Sequence, residues 1–326
     1  MTTGGGLERF LVPGRQMKGL DAQHLGYLVP PCLTFKDVYN RQLMILQFLK
    51  FMDSNHQKRT KKTFMALRGK RGVGKTTSIG MFMDLLNSVN GGHAYEVEDY
   101  LKKEFMVDAY PKAISAIKGY TMLPVTFGQE SKWADYEHSP NVSIVSRIIY
   151  SIQKSARFDP KLMSLQQNIY QHSVDHNPLM LLTFLDKQFG EETKYIFAID
   201  GFDSVPEDRH RIEILKYLCD LMDCRPETHT LITSTSTKDL LAAVHAVNAS
   251  ISDLTLTPVL DLLDKNDIIR DGIKQDPAHL HQMMEFCNSP GLLIVIAKLL
   301  PILQGLIDSG QIKDYESWKR DHLKPK

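Results

Sequence analysis

The sequence predicts an α/β protein: a mainly parallel sheet flanked by helices, followed by a smaller helical domain. Short unbroken apolar runs alternate with stretches of helical periodicity, as strands buried on both faces do between crossover helices. One of those runs breaks into "GKRGVGKTT" at 69–77 and passes straight into a helical pattern. From about residue 258 onward the periodicity is helical throughout.

In chain order, residues 1–32 are Gly-rich at the start and read as a flexible segment. A first helix is expected over 33–52, where Val38, Leu46 and Leu49 fall at helical spacing behind Asp37 as a cap. The polar, basic stretch "QKRTKK" at 57–62 leads to a strand at Phe64 to Leu67, and helical spacing resumes over 74–89. Further strands are expected at 122–127, 194–200, 229–234 and 253–257, and helices at 141–156, 178–189, 207–222 and 238–247. The expected division is therefore 1–32, an α/β core over 33–257 and a helical domain over 258–326. No internal repeat or low-complexity tract interrupts it.

The bulk properties exclude several classes. A chain of 326 residues with 43% hydrophobic residues can fill a packed core. With 39 Lys plus Arg against 38 Asp plus Glu, no whole-chain field draws it to nucleic acid or anionic membrane, so any such attraction is local. Cys32, Cys219, Cys224 and Cys287 form no CxxC pair, and the histidines form no HExxH motif. A reduced, intracellular protein is the expectation. The apolar stretch 291–307 contains Lys298 and Pro301 and falls short of the ~20 apolar residues of a membrane span, so it reads as a buried helix.

Residues 69–76, "GKRGVGKT", match GxxxxGK[ST] in full. Gly69, Gly72 and Gly74 let the main chain approach a ligand closely, so that N–H groups around Val73 turn inward as a nest. The helix behind them adds the positive end of its dipole. Such a concavity suits a polyphosphate. Lys75 would reach the β and γ phosphates, Thr76 would offer its hydroxyl to Mg2+, and Thr77 would reach the α phosphate.

The metal then needs a carboxylate at the end of a neighbouring strand. "YIFAIDGFDSV" supplies it: Ile196 to Ile199 carry Asp200 to the carboxyl end of a buried strand, where ligands collect in open α/β sheets. Asp200 would hold Mg2+ through its water shell. Asp203 would orient or polarise an attacking water, or else merely start a turn.

These motifs resemble the P-loop NTPases, and within them the AAA+ and STAND group. "DGFDS" looks like the NACHT form of the Walker B motif, and "LITSTST" at 231–237 sits where that group has its sensor strand. "DLTLTPVLDLLDKNDII" followed by "CNSPGLLIVIAKLL" resembles its helical lid, and "FKDVYNRQ" resembles the segment bordering its adenine pocket. "MLPVTFGQES" is similar to the ATPase modules of Crinkler and retrotransposon hot spot proteins, which are fused to nuclease or other effector domains. The resemblance covers about residues 33–307, and only the two Walker motifs are specific.

It implies an Mg2+-dependent ATPase with Lys75, Asp200 and Asp203 in catalytic roles, acting as a switch or motor whose nucleotide state moves a lid. It also implies a protein partner or homo-oligomer. Three departures point to slow turnover: Ser204 replaces a second acid, Thr235 stands where many STAND proteins have a sensor arginine, and Ser289-Pro290-Gly291 reverses the usual Gly-Pro order.

Alternatives remain. A GTPase lacks support, because "TKDL" at 237–240 has Leu240 where a carboxylate must pair with guanine. A small-molecule kinase has no use for the long helical tail. A scaffold that keeps nucleotide without hydrolysing it, and an ATPase stimulated by DNA through the basic stretch, both stay open. Arg209, Arg211 and Arg225 are candidates to act on a neighbour's nucleotide, or else are solvated or ion-paired. Trp133 and Tyr136 are buried anchors or a ligand platform.

Overall fold

The computed structural model describes Phe35 and residues 42–54, 62–69, 73–105, 114–127, 140–153, 158–255 and 309–310. The chain divides into two compact units, one of Met1–Gly69 with Lys75–Thr257, the other of Lys70–Gly74 with Pro258–Lys326. The described residues belong to the first unit, save Val73, Gly74, Ser309 and Gly310.

Helix α1 (Gln42–Ser54) precedes strand β1 (Thr63–Arg68), which leads to helix α2 (Lys75–Asn90) and helix α3 (Ala94–Phe105). Strand β2 (Tyr120–Thr126) is followed by helix α4 (Pro140–Gln153), a 3-10 turn (Pro160–Leu165), helix α5 (Gln166–Val174) and helix α6 (Leu179–Phe189). Strand β3 (Lys194–Asp200), a 3-10 turn (Phe202–Ser204) and helix α7 (Asp208–Cys224) come next. Strand β4 (His229–Ser234), helix α8 (Thr237–Ala246) and strand β5 (Ser250–Asp253) complete the described order.

The strands form one sheet in the order β2-β3-β4-β1-β5, and every pairing is parallel. The predicted α/β class with a mainly parallel sheet is the class observed. Successive side chains of a strand point to opposite faces, yet Tyr195, Ile196, Phe197, Ala198 and Ile199 are all at 0% exposure. Both faces are therefore covered, which is why these strands read as unbroken apolar runs rather than alternating ones. The stack of Phe48 on Phe82, with centroids 4.4 Å apart, joins α1 to α2.

Two expectations shift. The last strand occupies Ser250–Asp253, not 253–257, because the edge next to β1 takes the polar segment "SISD" while Leu254 turns inward as a core residue. An edge strand is exposed on one side and needs no apolar run. Phe35 lies in a turn rather than in the first helix, and its N–H donates to Asp84 Oδ2 at 2.9 Å. The cap at Asp37, nearly all of 1–32 with 258–326, and Trp133 and Tyr136 lie outside the described residues, apart from Ser309 and Gly310.

The ends of β1 and β5 are clasped together. Arg68 forms a two-pronged ion pair with Asp253, its Nε donating to Oδ1 at 2.6 Å. Two residues on, Thr255 N–H donates to Gln47 Oε1 at 2.7 Å, and Gln47 Nε2 donates back to Thr255 Oγ1 at 3.1 Å. Lys62, the described end of the basic stretch, pairs with Asp223. Lys62 of that stretch and Arg68 at the end of β1 are thus each paired with an acid. Among the described residues no helix is long and apolar enough to cross a membrane.

Candidate functional site

The site is built at the carboxyl ends of β1, β3 and β4. Strand β4 lies between the other two, with Arg68 of β1 opposite Ser234 and Ile199 of β3 opposite Ile232. That register brings the end of the glycine-preceding strand and the end of the acid-bearing strand to the same edge of the sheet. Gly69 leaves β1 with its N–H donating to Ser234 O at 3.2 Å. Gly72 lies outside the described residues, and Val73 and Gly74 form a bend before α2. Gly74 has a φ of 95°, a conformation that side-chain-bearing residues rarely adopt.

Lys75 and Thr76 open α2, so both project from the helix amino end, where backbone N–H groups and the dipole favour an anion. Lys75 Nζ donates to Gly69 O at 2.7 Å. Burial lowers its pKa, and the nearby carboxylates of Asp203 and Asp200 oppose that shift. Thr76 Oγ1 donates to Asp200 Oδ2 at 2.8 Å, and half-buried Thr77 follows it on the helix.

Asp200 ends β3 in a largely buried position. Burial raises its pKa; hydrogen bonds from Thr233 and Thr76 and the charge of Lys75 pull it back. Thr233 Oγ1 donates to Asp200 Oδ1 at 2.6 Å. The chain then reverses at Gly201, whose φ of 71° suits glycine, and its N–H donates to Thr233 Oγ1 at 2.9 Å.

Asp203 follows in the 3-10 turn. Thr235 N–H donates to its Oδ1 at 2.9 Å and the Thr235 hydroxyl bonds its Oδ2. Burial pushes the Asp203 pKa up, but the Thr235 bonds outweigh it and hold the carboxyl below its ordinary value. Lys75, Thr76, Asp200 and Asp203 are thus brought into one cluster. Ser204 is exposed beside it.

The hydroxyl of Thr76 and the carboxylate of Asp200 are two hard oxygen donors in contact. Among the described residues no group of three or more His, Cys, Asp or Glu could hold a metal ion alone. A pair of this kind fits Mg2+, which is bound through one or two protein oxygens and otherwise keeps water and phosphate ligands.

No family model matches the chain, and no curated protein matches it. Among solved structures it is similar to that of C. elegans PCH-2, at 14% sequence identity and a TM-score of 0.29, the match covering 73% of this chain and 48% of that one. The chain thus spans about half the length of that protein.

The three candidate arginines have separate fates. Arg209 is exposed and pairs with Glu207 at 2.5 Å. Arg211 pairs with Asp208 at 2.5 Å and donates to Asp203 O at 3.4 Å, so it braces the 3-10 turn. Arg225 grips both carboxylate oxygens of Asp186 at 2.7 Å and lies over the Tyr195 ring, near the amino end of β3 and away from Asp200. This pair is a structural one. Arg225→Leu is expected to destabilise the protein by about 2 kcal/mol by stranding Asp186, and adding Asp186→Leu should recover most of the loss. Urea unfolding of the single and double variants measures both.

"TKDL" at 237–240 forms the first turn of α8, capped by Ser236, and Leu240 is a core residue. The residue that sequence reasoning missed is Thr233. A strand ending in "ITS" gives a signal only when the register that puts it beside Asp200 is known. Arg147, also missed, donates from Nη1 to Thr126 O at 2.8 Å, and Thr126 is the residue paired with Asp200.

Proposed function

We propose that this chain binds ATP with Mg2+ at the amino end of α2 and hydrolyses it slowly, as a switch or motor module of the P-loop NTPase class. The single observation that carries the reading is the convergence of Lys75, Thr76 and Asp200, a helix-start cation and hydroxyl meeting a strand-end acid. The chemistry of a triphosphate calls for this set: amides and a lysine for the phosphates, two oxygens for the metal. When bound, Mg2+ neutralises charge that develops on the phosphate oxygens.

The chain's own residues then have distinct tasks. Loop amides of 69–76 and the start of α2 position the phosphates, and Lys75 exchanges its bond to Gly69 O for phosphate oxygens. Thr76 and Asp200 hold the metal. Asp203, kept ionised and of low basicity by Thr235, orients an attacking water better than it takes its proton. A weak base suits slow turnover. The coupling of nucleotide state to a lid over 258–326, and to a protein partner or second copy, belongs to the same reading.

The engaged carboxylate of Asp203 also supports a second reading, a scaffold that retains nucleotide without turning it over. Calorimetry with ATP and Mg2+ together with a phosphate-release assay separates them. Asp203→Asn is expected to lower the release rate at least about tenfold, while leaving ATP affinity within about twofold. A rate unchanged by this substitution would make Asp203 a turn residue. The absence of binding heat at millimolar ATP would reject the nucleotide reading altogether.

A further inference from the structure

We infer that Thr233 is a positioning residue for Asp200, and that the gain in ATP affinity conferred by Mg2+ depends on its hydroxyl. The inference rests on the nucleotide reading above and assigns the orienting part of that site to a residue outside the two Walker motifs.

Thr233 sits near the end of β4 at 0% exposure. A hydroxyl has one proton and two lone pairs, and here their uses are defined. The proton goes to Asp200 Oδ1 at 2.6 Å, and a lone pair receives the Gly201 N–H at 2.9 Å. No water is needed to satisfy either group.

A terminal carboxylate torsion is broad and nearly two-fold, so a strand-end aspartate does not hold its plane unaided. Asp200 is held from two sides: Thr76 on Oδ2 from the helix, Thr233 on Oδ1 from the neighbouring strand. The two contacts differ in kind. Thr76 belongs to the segment that meets the ligand, whereas Thr233 belongs to the sheet and fixes the carboxylate against the rigid part of the fold. Because the same oxygen receives Gly201 N–H, it also sets the turn that leads on to Asp203. Outer partners of this type typically change metal affinity by about 10- to 100-fold.

The test compares Thr233→Val, which keeps the shape and removes both bonds, with Thr233→Ser, which keeps the hydroxyl. ATP affinity is measured by calorimetry in Mg2+ and in EDTA, and the ratio is the readout. The valine variant is expected to lose at least about tenfold of the Mg2+-dependent gain with its EDTA affinity within about twofold of wild type, and serine to restore the gain. Equal losses in both buffers would make Thr233 a general packing residue and overturn the inference. So would a valine variant with the wild-type ratio. If the valine variant does not fold, Thr233→Ala is read by the same ratio: loss in alanine with retention in serine supports the inference, retention in both overturns it. A wild-type protein that binds ATP with no Mg2+-dependent gain overturns it too, and one that binds no ATP fails the nucleotide reading first.

Discussion

Lys75→Ala is expected to weaken ATP binding by about 100-fold or more, equivalent to roughly 2.7 kcal/mol, while leaving the fold intact. The argument has two halves. The ammonium lies at the helix start between Gly69 O and the two carboxylates, so in the proposed site it meets the most highly charged part of the ligand. Its removal leaves phosphate charge facing only amides and a dipole. Without ligand, the same ammonium is penalised by burial and attracted by Asp203 and Asp200, so alanine removes a charge whose costs and gains oppose each other. Thermal unfolding without ATP should therefore shift little, whereas the rise in Tm that ATP gives the wild type should vanish. A variant that binds ATP as the wild type does would remove Lys75 from the site.

Asp200→Asn carries the second large effect, and its two consequences have opposite sign. Phosphate release should fall by about 100-fold or more, because an amide cannot supply the anionic oxygen that Mg2+ requires. Stability at neutral pH should rise, with Tm up by about 3 °C. The carboxylate is largely buried and burial disfavours its charged form, whereas asparagine can accept from one flanking threonine and donate to the other.

The pH dependence follows from the direction of the shift. The folded chain keeps the Asp200 proton to a higher pH than the unfolded chain does, so between those two values stability falls as pH rises. The advantage of asparagine should therefore be larger at about pH 7 than at about pH 4. Asp203 acts the other way: its lowered folded value gives stability that is present above the ordinary carboxylate range and lost as pH falls through the folded value. Melting curves at the two pH values, with and without the substitution, separate the two acids. A stability advantage that shrinks with rising pH would contradict the assignment.

The strands on both sides of the site were legible because a parallel strand covered on two faces leaves an apolar run, as "KYIFAID" and "HTLITS" do. Helices α3 and α5 left weaker traces. The first is charge-rich, held by exposed pairs such as Lys103 with Asp99 at 2.7 Å, and the second buries little besides Ile169 and Ser173. Strand β5 was displaced in the reading because its pairing depends on β1 and not on its own residues. At the site, Lys75, Thr76 and Asp200 belong to motifs whose spacing is local. Thr233 and Thr235 act through strand register, 33 and 32 positions from their acids, and register between strands so far apart in the chain cannot be read from spacing.

The bond from Lys75 to Gly69 O gives any anion that approaches this ammonium a competitor within the chain itself. An incoming anion must outbid a main-chain oxygen that is already in place and loses nothing by staying. In the proposed site, a triphosphate that engages several amides at once is therefore expected to displace that bond more readily than a singly charged anion such as acetate or chloride.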